Sequence, residues 1–301
     1  MSQTTNHVLM VRPVRFGFNE QTAKNNVFQQ KDGDAKVVAT VAIHEFDVFV
    51  ALLRKNGVKV TVVQDTPEPF TPDSIFPNNC FSVHGDTLVL YPMFAPNRRL
   101  ERDKLLKTIQ ENKFKRVLHL HDLEEFGIAL EGTGSLVLDR EHRMAYTCLS
   151  PRTDFNTVGL WASEMGYHYF TFHSYDRQGT PVYHTNVMMH IGTRQAVVCL
   201  ESIPEVAERN ALVAHLKEDG KEIVPITLKQ MHKFAGNMLE LHNDQGEQLL
   251  VMSQTARQSL TPEQLDALSK YNRIISPDIH VIETVGGGSA RCMLAEIFEK
   301  N

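Results

Sequence analysis

Hydrophobic and polar positions along the chain fall into short alternating runs separated by stretches with helical spacing, and the order repeats. "SLVLDREHRMAYTCLS" (135–150) reads as two strands around a polar turn, "FNTVGLWASEMG" (155–166) as a short helix and "YHYFTFHS" (167–174) as an alternating strand. The same succession follows in "NVMMHIGTRQAVVCLES" (186–202), "IPEVAERNALVAHLKEDG" (203–220) and "KEIVPIT" (221–227), with Gly220 ending the helix. A third unit has a turn at Asp244-Gln245-Gly246, a helix in "TPEQLDALSKY" (261–271) with a Thr cap and N1 proline, and "DIHVIET" (278–284) as its last strand. Upstream, "CFSVHGDTLVLYPM" (80–93), "RRLERDKLLKTIQENK" (98–113) and "RVLHLHD" (116–122) make a fourth.

The fifth unit is split between the ends of the chain. "CMLAEIF" (292–298) is expected to pair with "HVLMVRP" (7–13), followed by a helix in "VAIHEFDVFVALLRKNG" (41–57) and a strand in "VKVTVVQ" (58–64). Units of roughly 50 residues at a steady interval predict one α/β domain over 1–301, a five-bladed α/β propeller of ββαβ repeats closed by the terminal strands. The alternative is an ordinary α+β domain whose hairpins happen to alternate with helices.

If the units are related by rotation, the residues just before each first strand converge at one end of a central axis. These lead-ins are "FPNNC" (76–80), "LEGTGS" (130–135), "YHTNV" (183–187), "FAGNM" (234–238) and "SARCM" (289–293). Asn79, Glu131, His184, Asn186, Asn237 and Cys292 would then surround one pocket, combining a nucleophile, a base, a carboxylate and amides. Cys292 is a candidate nucleophile that needs help to ionise, because a thiol with a pKa of about 8.5 is mostly protonated at neutral pH. His184 suits proton transfer, and Glu131 could orient its imidazole. Gly286, Gly287 and Gly288 precede the thiol and imply a positive φ or a close approach. Singly, each residue has a structural alternative: a packed cysteine, a turn asparagine, one histidine of 14. Their common phase in the repeat favours the catalytic one.

Composition narrows the partner. A net charge of −5 without a long basic run excludes the electrostatic footprint of nucleic-acid binding, so a small molecule is expected. No run is long enough for a membrane span or shaped like a signal peptide. Cys80, Cys148, Cys199 and Cys292 form no C-x-x-C pair, which argues against a zinc site or disulfide framework and for a reducing, cytoplasmic setting. Whether the chain forms a homo-oligomer is not written in the sequence.

Taken together, "PDSIFPNN" (72–79), "ALEGTGSLVLD" (129–139), "SPRT" (150–153), "YHTNV", "GNMLEL" (236–241) and "GGGSARCMLAEIF" (286–298) resemble the pentein, or guanidino-group-modifying, superfamily. It includes arginine deiminases, dimethylarginine hydrolases, arginine dihydrolases and amidinotransferases, and the likeness is greatest to the branch with citrulline-utilising hydrolases. The resemblance implies the five-bladed fold, a cysteine nucleophile at Cys292, an acid/base histidine at His184 and its carboxylate partner at Glu131. It also implies substrate contacts from Arg98 and Arg152 to an α-carboxylate, an apolar wall at Phe76, and contacts from Asp73, Asn79 and Asn186. No metal or organic cofactor is implied.

The sequence departs from the deiminases where they place acids on the guanidinium: it has Asn79 and Asn186, and Gly134 where their Glu-Gly-Gly-Asp run ends. Buried carboxylates suit a cation, whereas asparagine both donates and accepts and suits a neutral ureido group. The expected activity is cysteine-dependent C–N hydrolysis of a ureido or guanidino amino acid: citrulline to ornithine, ammonia and carbon dioxide, or arginine to ornithine by two hydrolyses. Arginine deiminase and amidinotransferase activities are the alternatives, and a non-catalytic amino-acid binding module is the rival of another class.

Overall fold

Most of the alternating runs become strands in the computed structural model, which describes residues 2–110 and 113–298. His7–Arg12 (β1) and Lys59–Gln64 (β2) are followed by Phe81–His84 (β3), Thr87–Leu90 (β4), Arg116–His119 (β5), Val137–Asp139 (β6), Met144–Cys148 (β7) and His168–Phe172 (β8). Met189–Ile191 (β9), Gln195–Val198 (β10), Glu222–Pro225 (β11), Leu239–His242 (β12), Gln248–Val251 (β13), Arg273–Ile275 (β14) and Ala295–Glu296 (β15) complete the set. They form five three-stranded sheets: β15-β1-β2, β3-β4-β5, β6-β7-β8, β9-β10-β11 and β12-β13-β14. In each sheet the middle strand has one antiparallel and one parallel neighbour. A helical crossover is what a parallel neighbour requires, so the pairing pattern itself makes ββαβ units.

Three of the crossover helices have well-defined caps. Ala35–Lys55 starts at Asp34, whose carboxylate accepts from Lys36 N and Val37 N, and buries Val38, Ala42, Phe46, Phe49, Val50 and Leu53 along one stripe. Phe155–Met165 ends at Gly166 in the left-handed conformation, and Pro262–Ser269 starts from a capping box of Thr261 and Gln264.

Two strands expected from the sequence differ. In 278–284 the β-branched residues suggested a strand, but the buried pair is Ile279 and Ile282, three residues apart, and Ile282–Gly286 forms a π-helical turn. Glu45 accepts hydrogen bonds from Val281 N and Ile282 N at 2.9 and 3.0 Å, which satisfies that turn's first donors. The third strand of the unit is β14 instead. In 292–298, Ala290–Met293 is a 3-10 turn and only the short β15 pairs with β1. The predicted helix 98–113 is divided into Pro96–Arg99 and Glu101–Ile109, and residues 111–112 lie outside the described residues.

Four of the five lead-ins fold into one short helical turn: Pro77–Asn79, Gly132–Ser135, Thr185–Met188 and Ala290–Met293. Successive turns touch, 290–293 against 77–79, 77–79 against 132–135, and 132–135 against 185–188. The remaining lead-in closes the circuit through one side chain: Asn237 Nδ2 donates to Asn186 O at 2.9 Å, and its Oδ1 accepts from Arg291 N at 3.0 Å.

Candidate active site

This circuit of turns sets the reactive groups. Cys292 is buried on the 290–293 turn, with its backbone N–H on Ser289 O at 3.0 Å. Asn237 Nδ2 points at the sulfur from 3.3 Å and Asn186 Nδ2 from 3.7 Å. Burial pushes the thiol pKa up, while Asn237, Arg291 and Asn186 pull it back. Two amide N–H groups on a buried sulfur favour the thiolate without supplying a full charge.

His184 and Cys292 line the same small cavity, together with Asn79, Arg152, Tyr183 and Phe76. Glu131 does not line it; it stands behind His184, with Oε2 2.7 Å from Nε2. Burial raises the Glu131 pKa, but Arg152, the His184 hydrogen bond and Arg98 outweigh it and hold the carboxyl well below the usual range. The imidazole is pushed down to about 4, chiefly by burial, against the opposing pull of Glu131. At neutral pH the pair is therefore carboxylate and neutral imidazole, with the proton on Nε2 and a lone pair on Nδ1. Nδ1 faces the Gly134 backbone, where a Cβ would be 2.8 Å away.

The residues expected to bind substrate are brought to the same end of the molecule in two environments. Asp73 Oδ2 accepts from Asn19 Nδ2 and Thr22 Oγ1 at 2.8 and 3.0 Å, while Oδ1 is buried without a partner. Arg152 stacks over Tyr183, 4.8 Å to the ring centroid, and turns its Nε and Nη2 toward Asn25 Oδ1 at 3.0 and 2.5 Å. Arg98 directs Nε and Nη2 to Glu101 at 2.9 and 3.0 Å and Nη1 to Asn79 Oδ1 at 2.8 Å. Asn186 does not line this cavity but a second one, with Arg140, His190, Glu240 and Arg291.

The triple glycine has a divided role. Gly287 has φ +65°, and a Cβ there would meet Gln29 Cγ at 2.5 Å. At Gly286 and Gly288 a Cβ would be 2.8 and 2.9 Å from the Phe76 ring, so both are small to let that ring lie on the backbone. Gly287 O accepts from Tyr183 Oη at 2.6 Å and Asn26 Nδ2 at 3.1 Å, tying three distant segments over the thiol.

Sequence reasoning assigned no part to Tyr183 or Glu101 and left Asn237 and the Asn25-Asn26 pair open. The signal for Tyr183 lay beside His184 in "YHTNV"; Glu101 lies in the helical run 98–113, where nothing local marks its partner. Outside this site, the described residues contain one cluster with metal-ligand spacing, Asp139, His142 and Asp219. There Lys221 Nζ, 2.8 Å from Asp139 Oδ2, already supplies the positive charge. Among the described residues no helix is long and apolar enough to cross a membrane.

Five small three-stranded sheets with a carboxylate, a histidine and a cysteine on three of their lead-ins define a pentein-type protein. The chain belongs to that superfamily, also called the amidinotransferase superfamily: residues 12–299 match the family described as N,N dimethylarginine dimethylhydrolase, eukaryotic. No curated protein matches by sequence. Among solved structures, the substrate-bound N-terminal domain of ArgZ, an arginine dihydrolase from the ornithine-ammonia cycle in cyanobacteria, is similar with TM-score 0.78 at 15% identity, covering 97% of this chain and 98% of that one. The binary complex of an AgrE mutant with L-arginine gives 0.77 at 16% identity over 97% of this chain and 40% of that one. DDAH from Pseudomonas aeruginosa, a mutant complexed with citrulline, gives 0.68 at 14% identity over 97% and 99%. The chain thus spans about two fifths of the ArgZ apo chain (41%) and of AgrE (40%). At these identities the structural likeness speaks to fold alone.

Proposed function

We propose that the protein is a cysteine-dependent hydrolase of C–N bonds in a ureido or guanidino amino acid, with citrulline the favoured substrate, and that its five sheets are the blades of a closed propeller. The observation that carries this is the placement of Cys292 and the Glu131-backed His184 on one buried cavity whose unpartnered polar atoms belong to Asn79 and Asp73. Buried polar atoms without partners are costly, and a polar ligand group would offset that cost. The carboxamide-rich lining also lacks the acid pair that a guanidinium would demand.

In the proposed reaction the Cys292 sulfur gives its proton to His184 Nδ1 and forms a C–S bond to the ureido carbon. The C–N bond to the terminal nitrogen breaks, and His184 returns the proton to it as ammonia leaves. Water, deprotonated by the same nitrogen, cleaves the resulting thiocarbamate. The carbamate released loses carbon dioxide to give ornithine. Arginine would pass through the same steps twice. Arg152 is assigned the substrate carboxylate: it lines the cavity, its Nε and Nη2 meet the neutral oxygens of Asn25 and Thr22, and only Nη1 approaches a carboxylate, Glu131 Oε2 at 3.4 Å.

The test is incubation with citrulline, arginine, agmatine and methylated arginines, quantifying ornithine, citrulline and ammonia, with Cys292→Ala alongside. Ornithine from citrulline, and two ammonia per ornithine from arginine, are expected from the wild type and not from the variant. Turnover that persists without the thiol removes the mechanism, and a new guanidino product formed without ammonia in excess amine identifies an amidinotransferase.

A further inference from the structure

The lead-ins that carry the reactive groups precede β3 and β6; another polar cavity, of about 170 Å³, lies at the opposite ends of those strands, lined by His84, Arg116, Arg140, Arg143, Glu164 and Tyr167. Arg140 is only 2% exposed. Its Nη1 donates to His84 Nδ1 at 3.0 Å, and burial together with Arg140 keeps that imidazole neutral, its pKa well below the usual range. Nη2 reaches Glu296 Oε1 only at 3.4 Å, while Arg291 Nη2 holds the other oxygen of the same carboxylate at 2.7 Å. One carboxylate thus serves two buried guanidinium groups and cannot neutralise both. Arg143 adds a further charge, since among the described residues its side chain forms no hydrogen bond or ion pair. It stands at φ +51° between β6 and β7, a left-handed conformation that costs an arginine energy and that glycine adopts freely. Arg116 is paired with exposed Glu164, the one carboxylate among the described lining residues.

We infer that this cavity, remote from the thiol, binds a compact dianionic oxyanion such as free phosphate. Four guanidinium groups, those of Arg116, Arg140, Arg143 and Arg291, face two carboxylates, those of Glu164 and Glu296, which leaves a surplus of two positive charges. The chain as a whole carries −5, so this surplus is local. Arg140 is buried, where solvent screens its charge little, and guanidinium forks match the paired oxygens of a phosphate group. The volume is below the roughly 300–1,000 Å³ of sites for drug-sized ligands, which favours the free ion over a nucleotide. None of these arginines lines the cavity of Cys292 and His184, so the site is distinct from that of the proposed substrate.

Trp161, the only tryptophan of the chain, reports on the site, because its ring lies 5.1 Å from that of Tyr167 and 6.1 Å from that of His84. Inorganic phosphate is titrated into the full chain in mildly alkaline buffer, with sodium chloride keeping the ionic strength constant, while Trp161 fluorescence is followed. A saturable change with a Kd of about 1 mM or tighter is expected, and none with chloride alone. Arg143→Gly should weaken binding at least about tenfold, the scale of one charge-assisted hydrogen bond, without lowering the melting temperature of the free protein, since glycine suits that backbone. Glu164→Gln should tighten binding about two- to fivefold by releasing Arg116 from an exposed ion pair, an effect that a merely structural pair would not produce. Adenosine monophosphate should bind more weakly than phosphate. Fluorescence that follows ionic strength whatever the anion, binding undiminished in Arg143→Gly, or weaker binding in Glu164→Gln overturns the inference, and tighter binding of the nucleotide overturns the assignment to a free ion.

Discussion

His184 Nε2 donates to Glu131 Oε2 across 2.7 Å, and the other carboxylate oxygen accepts from Phe94 N at 3.0 Å. Both oxygens therefore receive protons, an arrangement only a carboxylate can satisfy. In Glu131→Gln one end of the amide must donate. If the oxygen keeps Phe94 N, the imidazole must accept at Nε2, its proton moves to Nδ1, and the base facing the cavity is lost. The expected outcome is a kcat loss of about 10²–10⁴-fold, the scale of general acid–base catalysis, with Cys292 still fully alkylated by iodoacetamide. Imidazole ¹⁵N shifts should show the proton on Nδ1. Near-normal kcat in the variant would leave Glu131 without an orienting role.

The same imidazole makes stability depend on pH. His184 is held near 4 in the folded chain, mainly by burial, against about 6.5 when unfolded. Above 6.5 neither state binds the proton, and His184 adds no pH dependence. Between 6.5 and 4 the unfolded chain takes the proton and the folded chain does not, so stability falls as pH falls, by about 1.4 kcal/mol per unit. Relative to His184→Gln, the wild type should lose about 3 kcal/mol across that window and then level off. Urea denaturation of both proteins at half-unit pH steps reads the difference directly. A gap that stays constant from pH 6.5 to 4 contradicts a buried neutral histidine.

Two amides face the Cys292 sulfur at different distances, and their removal should rank accordingly. Asn237 Nδ2 is at 3.3 Å and Asn186 Nδ2 at 3.7 Å. Loss of either donor raises the thiol pKa further, because burial is then opposed by less. Asn237→Ala should shift the alkaline limb of the iodoacetamide rate profile upward by about one unit, the scale of one net hydrogen bond, and Asn186→Ala by less. Asn237 also bonds Asn186 O and Arg291 N, so its loss should lower the melting temperature as well, whereas Asn186 makes no other side-chain hydrogen bond among the described residues. Equal shifts, or a larger one for Asn186, would count against thiolate stabilisation by these amides.

The parts of this arrangement that were legible in the sequence are those with a local signal. Alternation and cap residues disclosed the units, and the common phase of Asn79, Glu131, His184, Asn237 and Cys292 in the lead-ins pointed to one centre, which the circuit of touching turns provides. What stayed hidden depends on contacts made after folding. Asn19, Thr22, Asn26 and Gln29 lie in a segment without periodicity and enter the site only because it folds over the glycine loop and Asp73. The resemblance implied a substrate carboxylate contact for Arg98, and only the fold sets it against Glu101 and Asn79. Residues 278–284 misled for a different reason: β-branched composition spoke for a strand, and burial three residues apart, which decides for a helical turn, is invisible without a partner surface.

Gly134 is the position where a single methyl group should separate catalysis from stability. A Cβ added there would fall 2.4 Å from Asn79 Nδ2 and 2.8 Å from His184 Nδ1, closer than carbon and nitrogen can approach. The backbone there has no positive φ, so alanine is not strained by conformation and could even reduce the entropy of the unfolded chain. Relief must come from the two side chains. Asn79 is pinned through Oδ1 by Arg98, and His184 through Nε2 by Glu131, so neither can move without breaking a charge-assisted hydrogen bond. Gly134→Ala should therefore cost about 1–3 kcal/mol in folding stability, the range for overpacking a filled site. It should also reduce kcat by about 10²-fold, because a displacement on the order of 1 Å at reacting groups is enough for that. Chemical denaturation and steady-state kinetics on one preparation distinguish the two effects. A variant with wild-type kcat would mean that Asn79 and His184 do not both act at the face of Gly134.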